Sequence, residues 1–569
     1  MCGIAGILNQ SDEATIGRMV QTVAHRGPDG QMWITKAASS FGASRLVIKG
    51  DPSAPAIFID STNDITVLLN GEIYNDEDLR KDLAAAGSIF HTELESELVA
   101  KLYTRYGPNF AKYLKGMYAI AILDGNQLIL TRDRFGIKPV YYSRIGRKVL
   151  FGSEIKAILV HPEVTATLCR ESLEELAVFG YIFSMDKTPF ENVKQVEPGT
   201  TIIFSEDGET KVQFWQPVKP CYLNEGYHLD RSKAVAQLRD HIIKAVDSLL
   251  SHGNNDIGIY LSGGLDSTII ALVSHTILGN SITSFTLTDS SDGSDLLAAK
   301  EVARRLGIRN IELQVTVEDC VSKIKHFVHH YESPIAGGVF DLYGGLAFHL
   351  LSELVAEYVK VALSGEGADE LFGGYYWIYT HPLGFADRIK NRLPANSDDL
   401  VIQEIVNNIF PYPEDRKIYQ RNIFDTLIRG GLTNLHLQSV DRSSGAFGFE
   451  VRPVYLFDDL AEFALNLPTE YKVPNYRTTK WILREAFRPE FQRLGLEWVL
   501  SRPKEAMSSA LRNVTPLIDE SLETLMDNQT FLIHPLRAYF QDKKELCLFQ
   551  VFEDIFLSEK GHALQNCVT

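Results

Sequence analysis

Apolar and polar positions alternate in blocks along the second half of the chain, and these blocks predict strands followed by helices. Short apolar runs typical of buried strands occupy residues 257–261, 282–287, 311–315 and 358–363. Segments with the spacing of helices lie between or after them, at residues 268–278, 294–306 and 318–330. Strands that alternate with helices predict a parallel sheet covered on both faces, with ligands at the carboxyl ends of the strands.

The first 200 residues have a different pattern, in which short apolar strands are separated by polar turns. Strands are predicted at residues 1–7 and 42–48, and another one ends at Asn70-Gly71. Proline, glycine and polar residues between 210 and 225 mark a boundary. Because 569 residues are too many for one core, we predict two domains, residues 1–215 and residues 216–569 with a helical C-terminal tail.

Composition and charge exclude several classes of protein. A chain with 45% hydrophobic and 23% charged residues is typical of a globular protein. The net charge of −17 argues against nucleic acid as a partner, because a phosphate backbone requires a basic face. No apolar run approaches the ~18 residues of a membrane span, and the N-terminus lacks a signal-peptide pattern. We therefore expect a cytoplasmic protein without a membrane partner.

The string Leu261-Ser262-Gly263-Gly264-Leu265-Asp266-Ser267 links a predicted strand to a predicted helix. Glycines allow a close backbone approach, serines donate hydrogen bonds, and backbone N–H groups at a helix start attract anions. Phosphate is the anion that this loop would bind, with Asp266 holding magnesium on it. An ordinary glycine turn is the alternative for a lone Gly-Gly pair. The full string is more specific and resembles the pyrophosphate-binding loop of ATP pyrophosphatases.

A second loop follows the predicted strand at residues 358–363 and carries three carboxylates. It reads Ser364-Gly365-Glu366-Gly367-Ala368-Asp369-Glu370. A magnesium ion shared by Asp266 and Asp369 would account for one of these acids. Acidic residues at a helix start are the alternative explanation. Two loops of this kind in one sheet favour a nucleotide site.

The chain begins Met1-Cys2-Gly3, so removal of Met1 would leave Cys2 with a free α-amine beside its thiol. An α-amine has a reference pKa of about 8 and can act as the base that activates the thiol. The six cysteines are otherwise scattered without a C-x-x-C pair, which argues against a disulfide framework or structural zinc. Cys2 is the candidate nucleophile.

Residues 1–200 resemble the N-terminal-nucleophile glutaminase domain of the class II amidotransferases. The resemblance rests on residues 1–7, His25-Arg26-Gly27-Pro28-Asp29-Gly30, Arg45, residues 70–75, 116–121, 131–139 and 151–156. It implies that Cys2 attacks the side-chain amide of glutamine and that Asn70 and Gly71 form the oxyanion hole. It also implies that Arg45 holds the substrate α-carboxylate. An Asn-Gly pair is also the usual sequence of a hairpin turn, which remains the alternative here.

The substrate α-amine would be held by Glu72, with help from an acid that the family usually has as Asp. Glu95 falls at that place in the string Thr92-Glu93-Leu94-Glu95. It keeps the charge and adds a methylene, so the affinity for glutamine would be altered. A solvated carboxylate on a helix face is the alternative reading of Glu95.

The whole of residues 1–510 resembles the glutamine-hydrolysing asparagine synthetases. The two glycine loops, Asp441-Arg442, Glu450-Val451-Arg452 and Arg502-Pro503-Lys504-Glu505 carry this resemblance. It implies a fold of an N-terminal-nucleophile αββα glutaminase domain followed by a parallel-sheet ATP pyrophosphatase domain, which is adenine nucleotide alpha-hydrolase-like. It also implies that Glu366 and Lys504 act on the adenylated carboxylate. The implied ATP-binding residues are Leu261, Ser262, Gly263, Gly264, Asp266, Ser267, Leu287, Ser364 and Gly365.

The resemblance implies two reactions in series, with ATP and Mg²⁺ as cofactors. Glutamine releases ammonia, which passes through an internal tunnel and displaces AMP from an acyl-adenylate. Aspartate is the expected acceptor. A different carboxylic acid is the alternative, because residues 335–340 are apolar, Asp341 is the one charge in residues 334–348, and Phe457 stands where the family has a carboxylate.

A regulatory or binding protein that has lost synthesis is disfavoured, because the loop residues and Lys504 are present. The resemblance allows a homodimer, and residues 514–569 carry no motif.

Overall fold

Two antiparallel sheets, each of six strands, build the first domain. The structure is a computed structural model, and it describes residues 2–36, 38–48, 50–217, 229–252, 256–334, 342–375, 392, 427–474 and 478–557. The strands in chain order are β1 (Cys2–Leu8), β2 (Gly30–Lys36), β3 (Ser39–Arg45), β4 (Ile57–Asp60), β5 (Ile65–Ile73), β6 (Gly116–Asp124), β7 (Gln127–Arg132), β8 (Tyr141–Ile145), β9 (Lys148–Gly152), β10 (Lys194–Gln195), β11 (Thr200–Ser205) and β12 (Gly208–Gln213). One sheet has the order β10-β8-β9-β1-β3-β2 and the other β12-β11-β7-β6-β5-β4.

The two sheets pack face to face and carry helices on their outer faces. Side chains from both sheets share one apolar core, including Ile4, Phe41, Leu68 and Ala119. A second core packs the other face of the β5 sheet against helices Asp76–Ala85 and Glu95–Tyr106. Helix Glu13–Thr22 covers the outer face of the β1 sheet, and Ile155–Leu159 and Arg170–Phe179 complete the helices of this domain. This is the αββα arrangement that the sequence predicted.

A parallel sheet of five strands, all within the described residues, forms the second domain. Its strands are β13 (Ile257–Tyr260), β14 (Ile282–Thr288), β15 (Arg309–Gln314), β16 (Val361–Ser364) and β17 (Glu450–Pro453), in the order β15-β14-β13-β16-β17. All neighbouring strands run parallel. Four of these strands were predicted from apolar runs. The strand β17 was not, because its Glu450 and Arg452 do not look like buried strand residues.

Helices cover both faces of this sheet, because the strands are apolar on both sides. Ile257 and Ile259 face one core, while Tyr260 faces the other. The first core is covered by helices Arg231–Ser251, Leu265–Ala271, Ser294–Leu306, Ala368–Phe372, Asp458–Leu465 and Trp481–Leu494. The second is covered by Val317–Tyr331, Leu342–Ala356, Gln438–Ala446, Thr515–Thr524 and Lys543–Phe556, and Phe531 of the short helix Asn528–Ile533 packs against it. The short helix Thr469–Lys472 packs Tyr471 against the first core.

The structure differs from the sequence expectations at several helices and strands. The predicted helix at residues 268–278 begins earlier, at Leu265, and continues after Ala271 as a π-helical turn, Leu272–Ile277. The strand predicted from residue 358 begins at Val361. The C-terminal segment, which carries no motif, packs Phe549 and Phe552 into the core. None of the described helices is long and apolar enough to cross a membrane.

Candidate active sites

Cys2 is the first residue of β1, which is an inner strand of its sheet. Its backbone N–H donates to Asn70 Oδ1 at 2.9 Å, and its carbonyl accepts a hydrogen bond from Arg26 Nε at 3.2 Å. In the antiparallel register Cys2 is opposite Arg45 of β3. The structure therefore brings together Cys2, Arg45 and Asn70, which lie far apart in the sequence.

Asn70 is fully buried, and its Nδ2 amide has no hydrogen-bond partner among the described residues. A buried donor without an acceptor is costly unless a ligand supplies one. Gly71 has φ +138°, and a Cβ on it would lie 1.9 Å from the carbonyl oxygen of Met117. The hairpin turn offered as an alternative for Asn70-Gly71 is wrong, because β5 continues to Ile73.

Glu72 and Glu95 form a second part of this site. The Glu95 carboxylate accepts the Ile73 N–H at 2.7 Å. Burial raises the pKa of Glu72 to about 7. Burial, together with the neighbouring Glu72, raises the pKa of Glu95 well above its usual value. Since the Glu72 charge opposes ionisation of Glu95, a cation beside both carboxyls would relieve the repulsion. Glu95 is therefore not a solvated residue on a helix face.

Arg452 of the second domain reaches Glu72. Its guanidinium lies 3.7 Å from Glu72 and 3.0 Å from Glu450, and Lys138 of the first domain lies 3.3 Å from Glu450. Arg45, by contrast, is held by the carbonyls of Asp51, Pro52 and Ala54. These hydrogen bonds fix the Arg45 guanidinium at the C-terminal end of β3.

The two glycine loops lie side by side, because β13 and β16 are parallel neighbours in the sheet. Ile259 is paired with Leu363, so the loops after both strands leave the same edge. Gly263 has φ +69°, and a Cβ on it would lie 2.5 Å from Ala298, so this position requires glycine. Ser262 and Ser267 approach each other at 3.3 Å between their hydroxyls. Leu287 is buried near the end of the adjacent β14.

Asp266 and Asp369 both form ion pairs with the ammonium group of Lys480. Lys480 Nζ lies 2.5 Å from Asp266 and 2.7 Å from Asp369, while Lys504 Nζ lies 2.9 Å from Asp369. The two lysines hold the pKa of Asp369 far below its usual value, against the effect of burial. Asp369 in turn raises the pKa of Lys504 above its usual value. The structure thus brings the three predicted residues together.

Glu366 belongs to the same group of charges. Burial raises its pKa, while His436 and Lys504 oppose that effect. Gly365 lies beside Asp266, and the hydroxyl of Ser364 is buried without a hydrogen-bond partner in the described part of the chain. Buried polar atoms at the end of a parallel strand are typical of a ligand site.

Sequence reasoning missed two residues of this site. Lys480 bridges the two aspartates from the residue before helix Trp481–Leu494, with φ 52°. Arg502 donates to the carbonyl of Ser262 at 3.0 Å and pairs with Asp295 at 2.6 Å, which fixes the first loop. Arg502 stands two residues before Lys504, in the string Arg502-Pro503-Lys504-Glu505 that carries the family resemblance. No local signal distinguishes Lys480 from a surface lysine.

The expected acceptor region is described only in part. Residues 335–341, including Asp341, lie outside the described residues. Phe457 stacks on Tyr74 of the first domain with ring centroids 5.4 Å apart. Asp458 accepts the Gly116 N–H at 2.7 Å and pairs with Arg134 at 3.0 Å. Phe457 and Asp458 thus contact the first domain, so Phe457 is no evidence for an apolar acceptor pocket.

Two family models match this chain. Residues 1–215 match the glutamine amidotransferase domain family, and residues 237–544 match the asparagine synthase family. The chain is 28% identical to asparagine synthetase [glutamine-hydrolyzing] 1 of Bacillus subtilis, over 96% of this chain and 94% of that protein. It is 27% identical to the nodule asparagine synthetase of Pisum sativum, over 90% and 78% of the two chains.

Solved structures give weaker likenesses. Glutamine PRPP amidotransferase of B. subtilis matches 55% of this chain and 65% of its own at 17% identity and a TM-score of 0.30. NH3-dependent NAD synthetase of Campylobacter jejuni matches 34% and 92% at 16% identity and a TM-score of 0.20. At these scores neither likeness decides anything about the site.

Proposed function

This chain belongs to the asparagine synthase family, and from that premise we propose that it converts aspartate to asparagine with nitrogen from glutamine and energy from ATP. The observation that carries the proposal is the meeting of Asp266 and Asp369 at Lys480, at the ends of two adjacent parallel strands. The sequence similarity of this domain is to enzymes named for asparagine synthesis. The alternative of another acceptor acid loses the support of Phe457.

The first domain, residues 1–215 in this proposal, hydrolyses glutamine at Cys2. With Met1 removed, the α-amine takes the thiol proton and the thiolate attacks the side-chain amide carbon. The unpartnered Nδ2 of Asn70 and the N–H of Gly71 stabilise the oxyanion. The carbon–nitrogen bond breaks, ammonia leaves with the proton, and water hydrolyses the thioester to glutamate.

The same pocket binds the amino-acid end of glutamine. Glu72 and Glu95 supply the negative charge that an α-ammonium needs. Arg45 is the cation for the α-carboxylate, which would replace the loop carbonyls that now accept its hydrogen bonds.

The second domain, residues 216–569, activates aspartate. The ATP phosphates lie on the loop from Leu261 to Ser267, with Ser364 and Gly365 from the neighbouring strand and Leu287 beside them. The aspartate side-chain carboxylate attacks the α-phosphorus and pyrophosphate leaves. Ammonia then attacks the acyl carbon and AMP leaves. Lys504 balances negative charge in both steps, and Glu366 accepts a proton from the attacking nitrogen.

The residues also fit a magnesium ion bound together with ATP. Asp266 and Asp369 face a common cation position, and Asp266 Oδ1 is buried without a hydrogen-bond partner among the described residues. Carboxylate oxygens are the ligands that Mg²⁺ takes from proteins in nucleotide sites. When bound, the ion would neutralise phosphate charge during adenylation.

Free ammonia is largely protonated at neutral pH and therefore is not a nucleophile. We infer that it passes between the domains inside the protein, across the interface where Arg452 meets Glu72.

The test is acceptor specificity. With glutamine, ATP and Mg²⁺ saturating, kcat/KM should be highest for aspartate in a panel that includes glutamate, succinate and less polar acids. The measurement is pyrophosphate release together with identification of the amide product. A higher value for any other acid would overturn aspartate as the substrate and leave the reaction class intact.

The assignment of Cys2 has its own test. Cys2→Ala should lose glutamine-dependent asparagine formation by a factor of about 10³ or more, because the nucleophile is lost. It should retain synthesis from added ammonium, because the second domain is unchanged. Mass spectrometry of the parent protein should show Met1 removed. Normal glutamate release by Cys2→Ala would contradict the assignment.

A further inference from the structure

Histidines from the two domains cluster where the domains meet. The ring of His330 lies 4.5 Å from His25, 4.6 Å from His326 and 5.0 Å from His329, between ring centroids. His25 belongs to the first domain and the others to helix Val317–Tyr331 of the second. Neither proposed reaction uses these imidazoles.

Three side chains at this place have ligand atoms close enough together to share one metal ion. One ring nitrogen each from His25 and His330 and one carboxylate oxygen of Glu154 lie within 4.8 Å of one another. His330 is 6% exposed, and its Nδ1 is buried without a hydrogen-bond partner among the described residues. Two imidazoles and one carboxylate, with a water as fourth ligand, are a donor set that Zn²⁺ takes in proteins.

We propose that His25, Glu154 and His330 bind one transition-metal cation of the Zn²⁺ class and that this ion joins the two domains. Imidazole selects such metals over Mg²⁺, which prefers oxygen ligands. The site is therefore distinct from the carboxylates proposed to hold magnesium. The His25 side chain is 20% exposed, which gives a metal ion access from solvent.

Neighbouring charges limit the affinity and do not prevent binding. Arg26, Lys156 and Arg442 surround Glu154, and they are balanced by Glu154, Glu332 and Asp441. A divalent ion adds two positive charges to a neutral group, so binding should be weaker than in sites with several carboxylates. Lys156 would keep Glu332, 3.5 Å away, when the metal takes an oxygen of Glu154.

The test uses the full-length Cys2→Ala protein, which removes one partly exposed thiol that could bind zinc, with Mg²⁺ saturating. Calorimetric titration with ZnCl₂ should show one ion bound per chain. His25→Gln and His330→Gln should each lower the affinity tenfold or more. His329→Gln is the matched control, because His329 is adjacent but outside the trio, and it should bind like the parent. Zinc should raise the melting temperature of the parent and the control only.

Cobalt distinguishes this site from the remaining cysteines. Co²⁺ bound at the trio should give visible bands of a nitrogen and oxygen site without the thiolate charge-transfer band. The proposal is overturned if the parent binds no zinc, if His330→Gln binds as tightly as the parent, or if cobalt shows thiolate ligation. Should His330→Gln fail to fold by circular dichroism, His25→Gln decides, because that side chain is partly exposed.

Discussion

At the scale of single residues, the proposed glutamine pocket contains two partly buried acids, Glu72 and Glu95. Burial and the Glu72 charge oppose ionisation of Glu95, while burial opposes ionisation of Glu72 and Arg452 from the second domain partly offsets that effect. An α-ammonium between the carboxyls would remove the repulsion. The ionisation of Glu72 should therefore affect the pH dependence of kcat/KM for glutamine hydrolysis.

Glutamine hydrolysis should weaken on the acid side of its pH profile. The pKa of Glu72 is raised to about 7, so Glu72 is protonated below pH 7 and loses its attraction for the α-ammonium. The Cys2 α-amine, with a reference pKa of about 8, must also be neutral. The logarithm of kcat/KM for glutamine hydrolysis should thus fall below pH 7 with a slope approaching two. In Glu72→Gln the slope should be one, with a higher KM at every pH. An unchanged slope would show that Glu72 does not titrate in this range.

At the scale of secondary structure, the synthetase site depends on two loops at neighbouring strand ends. The parallel register of β13 and β16 carries Asp266 and Asp369 to one place, where Lys480 and Lys504 neutralise them. Each aspartate depends on a loop that only glycine permits, as at Gly263 and Gly367, which have φ +69° and +87°.

Removing either carboxylate should stop adenylation without stopping glutamine hydrolysis. Asp266→Ala and Asp369→Ala should each lower pyrophosphate formation about a hundredfold or more, because the phosphate charge loses its partner. Basal glutaminase activity should remain, since Cys2 lies in the other domain. Asp292→Ala is the matched control, as Asp292 is an exposed acid on the loop after β14. Normal pyrophosphate release from either variant would refute the proposed role of these acids.

The C-terminal helix Lys543–Phe556 stabilises the second domain even though its sequence carries no motif. Phe552 is fully buried against Phe190, Phe549 and Phe556. Phe552→Ala should destabilise this domain by about 3–5 kcal/mol through lost contacts and a cavity. Leu525→Ala, which changes a side chain that is 71% exposed, should alter stability by less than about 0.5 kcal/mol. Urea denaturation compares the two, and equal midpoints would contradict the packing.

At the scale of the whole molecule, buried ion pairs hold the domains together. Arg442 of the second domain lies 3.2 Å from Glu154 of the first and 2.8 Å from Glu332. Arg26 joins Glu154 and Asp441 at 2.8 and 2.9 Å, and donates to the Cys2 carbonyl. These pairs connect the start of β1, where Cys2 lies, to helix Gln438–Ala446.

Breaking this network should uncouple the two reactions. Arg442→Met leaves two buried carboxylates with fewer partners and should cost about 3–5 kcal/mol in stability. It should also raise the ratio of glutamate to asparagine formed, because ammonia escapes from a loosened interface. Arg488→Met is the control, since the partly exposed Arg488 pairs with Glu485 of its own helix. A parental product ratio in Arg442→Met would show that the network is not needed for coupling.

Several features of this protein follow from its sequence, because they are encoded locally. The period of apolar residues predicts the strands from β13 to β16, and the glycine loops must follow those strands whatever the rest of the chain does. The N-terminal Cys2 and the family motifs indicate both reactions. Gly71 and Asn70 also stand in such a motif, although only the structure shows that β5 runs through them.

Tertiary structure decided what depends on residues far apart in the chain. The strand β17 carries charges that Lys138 and Glu72 of the other domain neutralise, so its own composition does not predict a buried strand. Lys480 becomes a site residue only because two strand ends meet beside it. His25 and His330 become neighbours only when the domains pack. Burial and charge pairing are properties of the folded contacts, and no local pattern contains them.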